Sequence, residues 1–299
     1  VVCMRRRVKG QVVACVRDYL RDAPVDNAYR TALVAALGQR GNILSQEPDF
    51  RWALPVTVCC VAAGSAEEQA VPGAAAMEVL MVALDVLDDL EDGEANPLAL
   101  EFGLPAALNA CTGLLLLGQL ILLQADAGAD LARIWCGSGL CAVTGQHQDL
   151  TRCAGEGVGY RDATEITAAK SGSLLSCACR LGAAAARASE EMQFRYAQFG
   201  RLLGVTMQLA NDVKAVVHGG QDKTDFALRR PVLSMVYTVE SARLDSADPS
   251  GAPESWGAGS AEFVWAVADT CRRQALRLIP DLAADESSRQ ALGGLLDVL

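Results

Sequence analysis

The 299-residue sequence predicts an all-α protein, and three observations carry that reading. Hydrophobic residues make up 51% of the chain and aromatics only 5%, with alanine and leucine in excess, a balance that favours helix over sheet. Apolar residues recur at helical spacing through most of the length, and no stretch shows the β-branched alternation of a strand. The breaks are short and carry glycine or proline, as at Gly41, Gly64, 93–97 and 155–159.

Taken in order, the periodicity places helices at 12–20, 29–37 and 53–63, the last enclosing Cys59-Cys60. A fourth, 74–90, is an almost unbroken run of alanine, leucine and valine, as a buried core helix would be. The next, 98–125, contains the most membrane-like segment, 106–123. Asn109, Thr112, Gly113, Gly118 and Gln119 interrupt that segment, which favours a core helix over a stable membrane span. Helices at 131–144, 166–186 and 194–217 follow, with Cys177 and Cys179 read as small buried thiols. After 232–242, the residues 246–261 carry Pro249, Gly251, Pro253, Gly257 and Gly259 among serines and acids. They read as a flexible loop too short to separate domains, so 1–299 is taken as a single domain closed by helices at 261–278 and 288–299.

The run ending at 90 delivers four acids, Asp85, Asp88, Asp89 and Asp92, at offsets that put all four carboxylates on one helix face. A solvated acidic surface is the alternative. Against it, the entering helix is apolar and no lysine or arginine lies nearby to form helical ion pairs. Two carboxylates about 6 Å apart also repel by roughly 3 kcal/mol at an effective dielectric near 20. Such a cluster calls for a divalent cation. Oxygen-only ligands favour Mg2+, which takes one or two carboxylates and completes its shell with water and phosphate.

A second site of the same hard-oxygen type, Gln208 to Ala215 with Asn211 and Asp212, ends the helix that begins near 194. Between the two lies Lys170, a lone cation among small residues that on its own reads as a surface lysine. Lys223, Arg229 and Arg230 follow in a polar loop. Two acidic clusters with cations between them suit a diphosphate clamped by metal ions. There is no P-loop, GxSxG or HExxH. A net charge of −10 and a pI near 4.8 argue against nucleic acid as a partner. Eleven scattered cysteines without a CxxC pair, and a basic start with no apolar signal core, point to a cytoplasmic protein.

These motifs, in this order, resemble the trans-isoprenyl diphosphate synthase superfamily over about 51–237. Asp88-Asp89-Leu90-Glu91-Asp92 matches its DDxxD motif. Gly145 to Asp149 looks like GQxxD, Lys170 to Leu174 like KTxxL, Met207 to Asp212 like FQxxDD, and Lys223 to Leu233 like the closing DLxxxKxTLP stretch. The resemblance implies a helical bundle around a central apolar cavity and an allylic prenyl diphosphate as substrate. It further implies three Mg2+ held by Asp88, Asp92, Asn211 and Asp212, with Asp89 alongside Asp88 and Asp92 in catalysis. Lys170, Gln208, Lys223, Arg229 and Arg230 would bind diphosphate, and relatives of this fold usually pair as homodimers.

The departures sharpen the expectation. Where elongating synthases hold isopentenyl diphosphate with a GGKRxRP segment, this chain reads Asp49 to Pro55, keeping Arg51 but placing Leu54 at the second arginine. Met81 stands at the family's histidine, and no arginine follows Asp92 until Arg133. A diphosphate facing leucine and methionine loses charge-assisted bonds worth about 1.5–3 kcal/mol each. The donor half is retained, with Asn211 leading its second motif as in terpene cyclases, although Ala215 and Gly219 depart from the rest of that motif. The expectation is a class I terpene synthase that ionises a C15 or C20 diphosphate, with geranylgeranyl diphosphate favoured because Ala83 and Leu84 stand where bulky residues would shorten the family's tunnel. A prenyltransferase acting on a peptide or making short-chain diphosphates is the first alternative. A non-catalytic subunit of a prenyl synthase is the other.

Overall fold

A computed structural model describes residues 4–154, 157–217, 228–245 and 256–297, of which 243–245 are described in backbone only. Among them there is no strand. The helices are α1 (Arg6–Asp22), α2 (Asn27–Leu37), α3 (Ala53–Ala62), α4 (Val71–Glu91), α5 (Pro97–Phe102), α6 (Leu104–Leu123) and α7 (Gly128–Thr151). They continue with α8 (Tyr160–Thr167), α9 (Ser173–Ala185), α10 (Glu190–Val217), α11 (Leu233–Asp245), α12 (Ser260–Leu282) and α13 (Glu286–Gly294).

Two of these boundaries differ from the sequence reading for local reasons. The run at 98–125 breaks at Gly103, whose φ of 84° lies in the left-handed region that glycine adopts without penalty. Asn96 then caps the short α5, accepting from the Leu98 N–H at 2.9 Å, with Pro97 in the first turn. The run at 166–186 is divided by a π-helical turn, Ala168–Gly172, which carries Lys170. Of the loop read at 246–261, the part 246–255 lies outside the described residues, and α12 already begins at Ser260.

The chain divides into two compact units, each made of separate segments. The first comprises 1–136, 177–196 and 282–292. Its axis is α4, buried continuously from Gly73 to Ala83, with α6 as its main neighbour and α1 and α3 also packed on it. Small residues set the spacing. A side chain at Gly182 of α9 would run into the α3 backbone, and one at Gly73 would press on Val56 and Leu181. Arg30 on α2 closes the end of α1 by donating to the carbonyls of Leu20, Arg21, Ala23 and Val25, groups a helix end leaves unsatisfied. Tyr196 is fully buried and donates to the Leu282 carbonyl at 2.7 Å.

The second unit comprises 137–176, 197–281 and 293–299. Its core joins Val205 and Leu209 of α10, Val236 and Val239 of α11, and Val264 and Ala268 of α12. Close backbone approach here fixes the position of the π-helical turn. A side chain at Gly145 of α7 would strike the Lys170 backbone, and one at Gly204 of α10 would strike Ser171 and Gly172. Of the eleven cysteines, ten lie among the described residues, and these are free thiols.

Candidate functional site

In the first unit, α4 carries Asp85, Asp88 and Asp89 in its last two turns and ends on Asp92 at the C-cap. A helix C-terminus already bears partial negative charge, and no basic residue occupies the last turn. The strain shows at Asp85, whose carboxyl is pushed up to about 6, first by desolvation and then by the charges of Asp88 and Asp89, with Arg51 opposing. The side chain itself still reaches solvent, so the protein crowding around it is what raises it. Asp89 has a structural partner: its Oδ2 accepts from Asn96 Nδ2 at 2.8 Å, the same asparagine that caps α5.

Two turns before Asp85 on the same helix, Glu78 is 5% exposed. Its Oε1 accepts from the backbone N–H groups of Trp52 (3.0 Å) and Ala53 (2.7 Å), supplying the cap that α3 lacks from its own N-cap side chain. Burial raises this carboxyl to about 7, Asp49 adds to the effect, and the two N–H donors and Arg51 oppose it. Sequence reasoning passed over Glu78. The signal was present, since it is the only charged residue between 74 and 84 and lies seven positions before Asp85, on the same face. Leu54 is half-buried and Met81 is packed in the core.

The second unit gathers three of the predicted diphosphate residues, Lys170, Arg230 and Gln208, into two hydrogen-bonded groups. Lys170 Nζ donates to Asp149 Oδ2 at 3.1 Å, and Arg230, itself 5% exposed, donates through Nη1 to the Asp149 carbonyl at 3.0 Å. Asp149 thus organises both cations, a role that the GQxxD-like segment signalled only through its last letter. In the other group, Ser171 Oγ donates to Gln208 Oε1 (3.1 Å), and Gln208 Nε2 donates to Asp212 Oδ1 (2.9 Å). Both groups hang from the π-helical turn, a distortion that places consecutive residues off the regular helix positions. Arg229 is half-buried with φ of 50°, and its carbonyl accepts from the Ala154 N–H at 2.9 Å. Asn211 is exposed beside the buried Asp212. Lys223 lies outside the described residues.

Among the described residues, no three carboxylate, imidazole or thiol groups converge to enclose a metal by protein ligands alone. The donors do fit an ion that keeps waters and substrate oxygens, as magnesium does. Mutual repulsion along the end of α4 is the physical demand such an ion would meet.

The fold has close counterparts. A polyprenyl synthetase from Streptomyces coelicolor A3(2) superposes with a TM-score of 0.79 at 20% identity, covering 97% of each chain. A polyprenyl synthase from Caulobacter crescentus CB15, complexed with calcium and isoprenyl diphosphate, gives 0.79 at 18% identity over 98% of this chain and 95% of that one. In sequence, the chain is 27% identical over 165 residues to the tryptophan prenyltransferase ComQ of Bacillus spizizenii, a match spanning 55% of this chain and only 57% of that protein. The polyprenyl synthetase profile matches residues 49–244, about two thirds of the length. With its all-α fold and its ordered acidic and basic motifs, the chain belongs to the polyprenyl synthetase family.

Proposed function

We propose that this protein is a magnesium-dependent prenyltransferase that takes an allylic prenyl diphosphate and passes the prenyl group to an acceptor other than isopentenyl diphosphate, an indole side chain carried on a peptide. One observation carries the reading: Leu54 and Met81 stand where cations would hold a second diphosphate, and Met81 is committed to the core. The charge of the remaining cation there, Arg51, opposes the upward shift of the Glu78 and Asp85 carboxyls. The likeness to a tryptophan prenyltransferase supports the acceptor and favours transfer over the terpene cyclisation that the sequence first suggested.

The assigned roles follow from chemistry. Asp88 and Asp92, with Asp89 steadied by Asn96 beside them, would hold magnesium in the first unit, and Asn211 and Asp212 would do so in the second. Three ions are expected once diphosphate supplies the missing oxygens. Magnesium would supply the charge that keeps the leaving electron pair on diphosphate. Lys170 and Arg230, oriented by Asp149, together with Gln208, Arg229 and Lys223, would bind the diphosphate oxygens. The allylic C–O bond breaks heterolytically, the indole π electrons form the new C–C bond, and the ring proton leaves to the departing diphosphate. A C15 or C20 donor, with geranylgeranyl diphosphate ahead, suits the small Ala83, which is fully buried.

Cyclisation of the donor is the second reading, favoured by Asn211 at the head of its motif. Incubation with magnesium, farnesyl or geranylgeranyl diphosphate and a tryptophan-containing peptide separates the two by mass analysis. The proposal expects a prenylated peptide. Hydrocarbon formed from donor alone, with the peptide unchanged, would favour cyclisation and reject it.

A further inference from the structure

The segment that leads into α3 is pinned at both ends. At Asp49 the backbone N–H donates to the Gly41 carbonyl at 3.0 Å, and Gly41, at φ of 85°, has no room for a side chain against the Asp49 carboxylate. At Trp52 and Ala53 the N–H groups donate to Glu78 Oε1 on α4 at 3.0 and 2.7 Å. Between these anchors Phe50 is 7% exposed and held at φ of 53°, a left-handed conformation uncommon for a bulky residue. By satisfying two donors that a helix start leaves free, the Glu78 carboxylate on α4 fixes the entry to a different helix.

Arg51 is the residue this arrangement presents. It is exposed, and its guanidinium makes no hydrogen bond or ion pair among the described residues, so its placement depends on the clamped backbone. Its charge acts on both Glu78 and Asp85. Asp85 lies seven residues beyond Glu78, about 10 Å further along α4 toward Asp88 and Asp92. Of the charges acting on Asp85, those of Asp88 and Asp89 are negative and that of Arg51 is positive. A fixed positive charge within reach of this end of the helix relieves its carboxylates and, for the same reason, repels an arriving dication.

We propose that Glu78 is a positioning residue that acts through Arg51: it clamps the start of α3 so that Arg51 serves as an internal counter-ion for the acids ending α4 and lowers their affinity for a divalent cation. The inference rests on the reading of Asp88 and Asp92 as metal ligands and adds what controls the entry of the metal. In the free protein Arg51 supplies part of the positive charge that the cluster demands. A diphosphate bringing negative charge to the same end of the helix offsets the repulsion between Arg51 and the ion.

The test is Mn2+ binding to the full chain at a fixed, mildly alkaline pH, read from the loss of the free-ion electron paramagnetic resonance signal. Arg51→Ala should bind Mn2+ about tenfold more tightly than the parent, Arg51→Lys should bind it like the parent, and added salt should narrow the difference. Glu78→Ala should also tighten binding, although it removes a negative charge, because Arg51 is no longer held. Glu78→Gln, which keeps an oxygen for the two N–H groups, should not. Arg51→Ala/Glu78→Ala should bind no more tightly than Arg51→Ala alone. Arg51→Ala that binds no more tightly than the parent, including no binding by either, would overturn the proposal. So would Glu78→Ala that weakens binding while keeping the parental helical circular dichroism, or a gain in Arg51→Ala that survives the addition of Asp88→Ala. Because neither prenyl donor nor acceptor is present, the result is independent of which acceptor the chain uses.

Discussion

Single residues divide into those that would meet the metal and those that hold the scaffold, and the two groups predict different losses. Asp88→Ala and Asp92→Ala should each lower prenyl transfer by roughly two orders of magnitude, because several kcal/mol of charge stabilisation goes with the ion, and should leave the melting temperature nearly unchanged. Asp89→Ala should also lower the melting temperature, since it leaves the buried Asn96 amide without the acceptor it has at 2.8 Å. Activity assays paired with thermal melts check this, and near-normal turnover in Asp88→Ala would remove the metal assignment. Glu78 gives a pH signature. Its carboxyl rises from 4.5 to about 7 in the fold, so the folded state binds the proton more tightly than the unfolded one. That contribution to stability is present in full below about pH 4.5 and is lost as pH rises through 7, about 3 kcal/mol in order of magnitude. Glu78→Gln keeps an oxygen for the Trp52 and Ala53 N–H groups but has no proton to lose. Urea unfolding at pH 5 and pH 8 should show a smaller decline in the variant than in the parent, and equal declines would contradict the assignment.

At the scale of elements, α6 presents a ridge that its own unit does not cover. Leu104, Leu108, Leu116 and Leu120 recur at multiples of four, the spacing by which helices pack on one another, and Leu116 is 63% exposed. The same helix is long and apolar enough to cross a membrane, yet its other side is buried in the first unit through Ala107, Leu114, Leu117 and Ile121. A homodimer formed through this ridge is the proposed cover. Leu116→Glu/Leu120→Glu should convert a dimeric parent to a monomer in sedimentation velocity, and a monomeric parent, or a variant that still dimerises, would reject it. Periodicity made the helices legible: α4 ends at its acids, and α10 carries Asn211 and Asp212 near its last described turn. It missed what a sidewise contact decides. The break at Gly103 and the π-helical turn at Lys170 both lie inside apolar runs that look continuous. The bonds from Asp149 to Lys170 and from Asn96 to Asp89 join residues whose partnership no helical spacing encodes.

For the whole molecule, the chain combines the polyprenyl synthetase fold with, on the proposed reading, an acceptor position that has changed chemistry. Family membership was legible because five motifs fall in order along the sequence. The acceptor was not, because on the proposed reading Leu54 and Met81 rule out one acceptor and do not name another. The loss itself is the central claim, and one competition measures it. The protein is incubated with magnesium, geranylgeranyl diphosphate, radiolabelled isopentenyl diphosphate and a tryptophan-containing peptide, and label is followed into extracted prenyl diphosphates while the peptide is weighed by mass spectrometry. The account predicts a prenylated peptide and no label in any longer prenyl diphosphate. Radiolabelled elongation products, with the peptide unmodified, would contradict it.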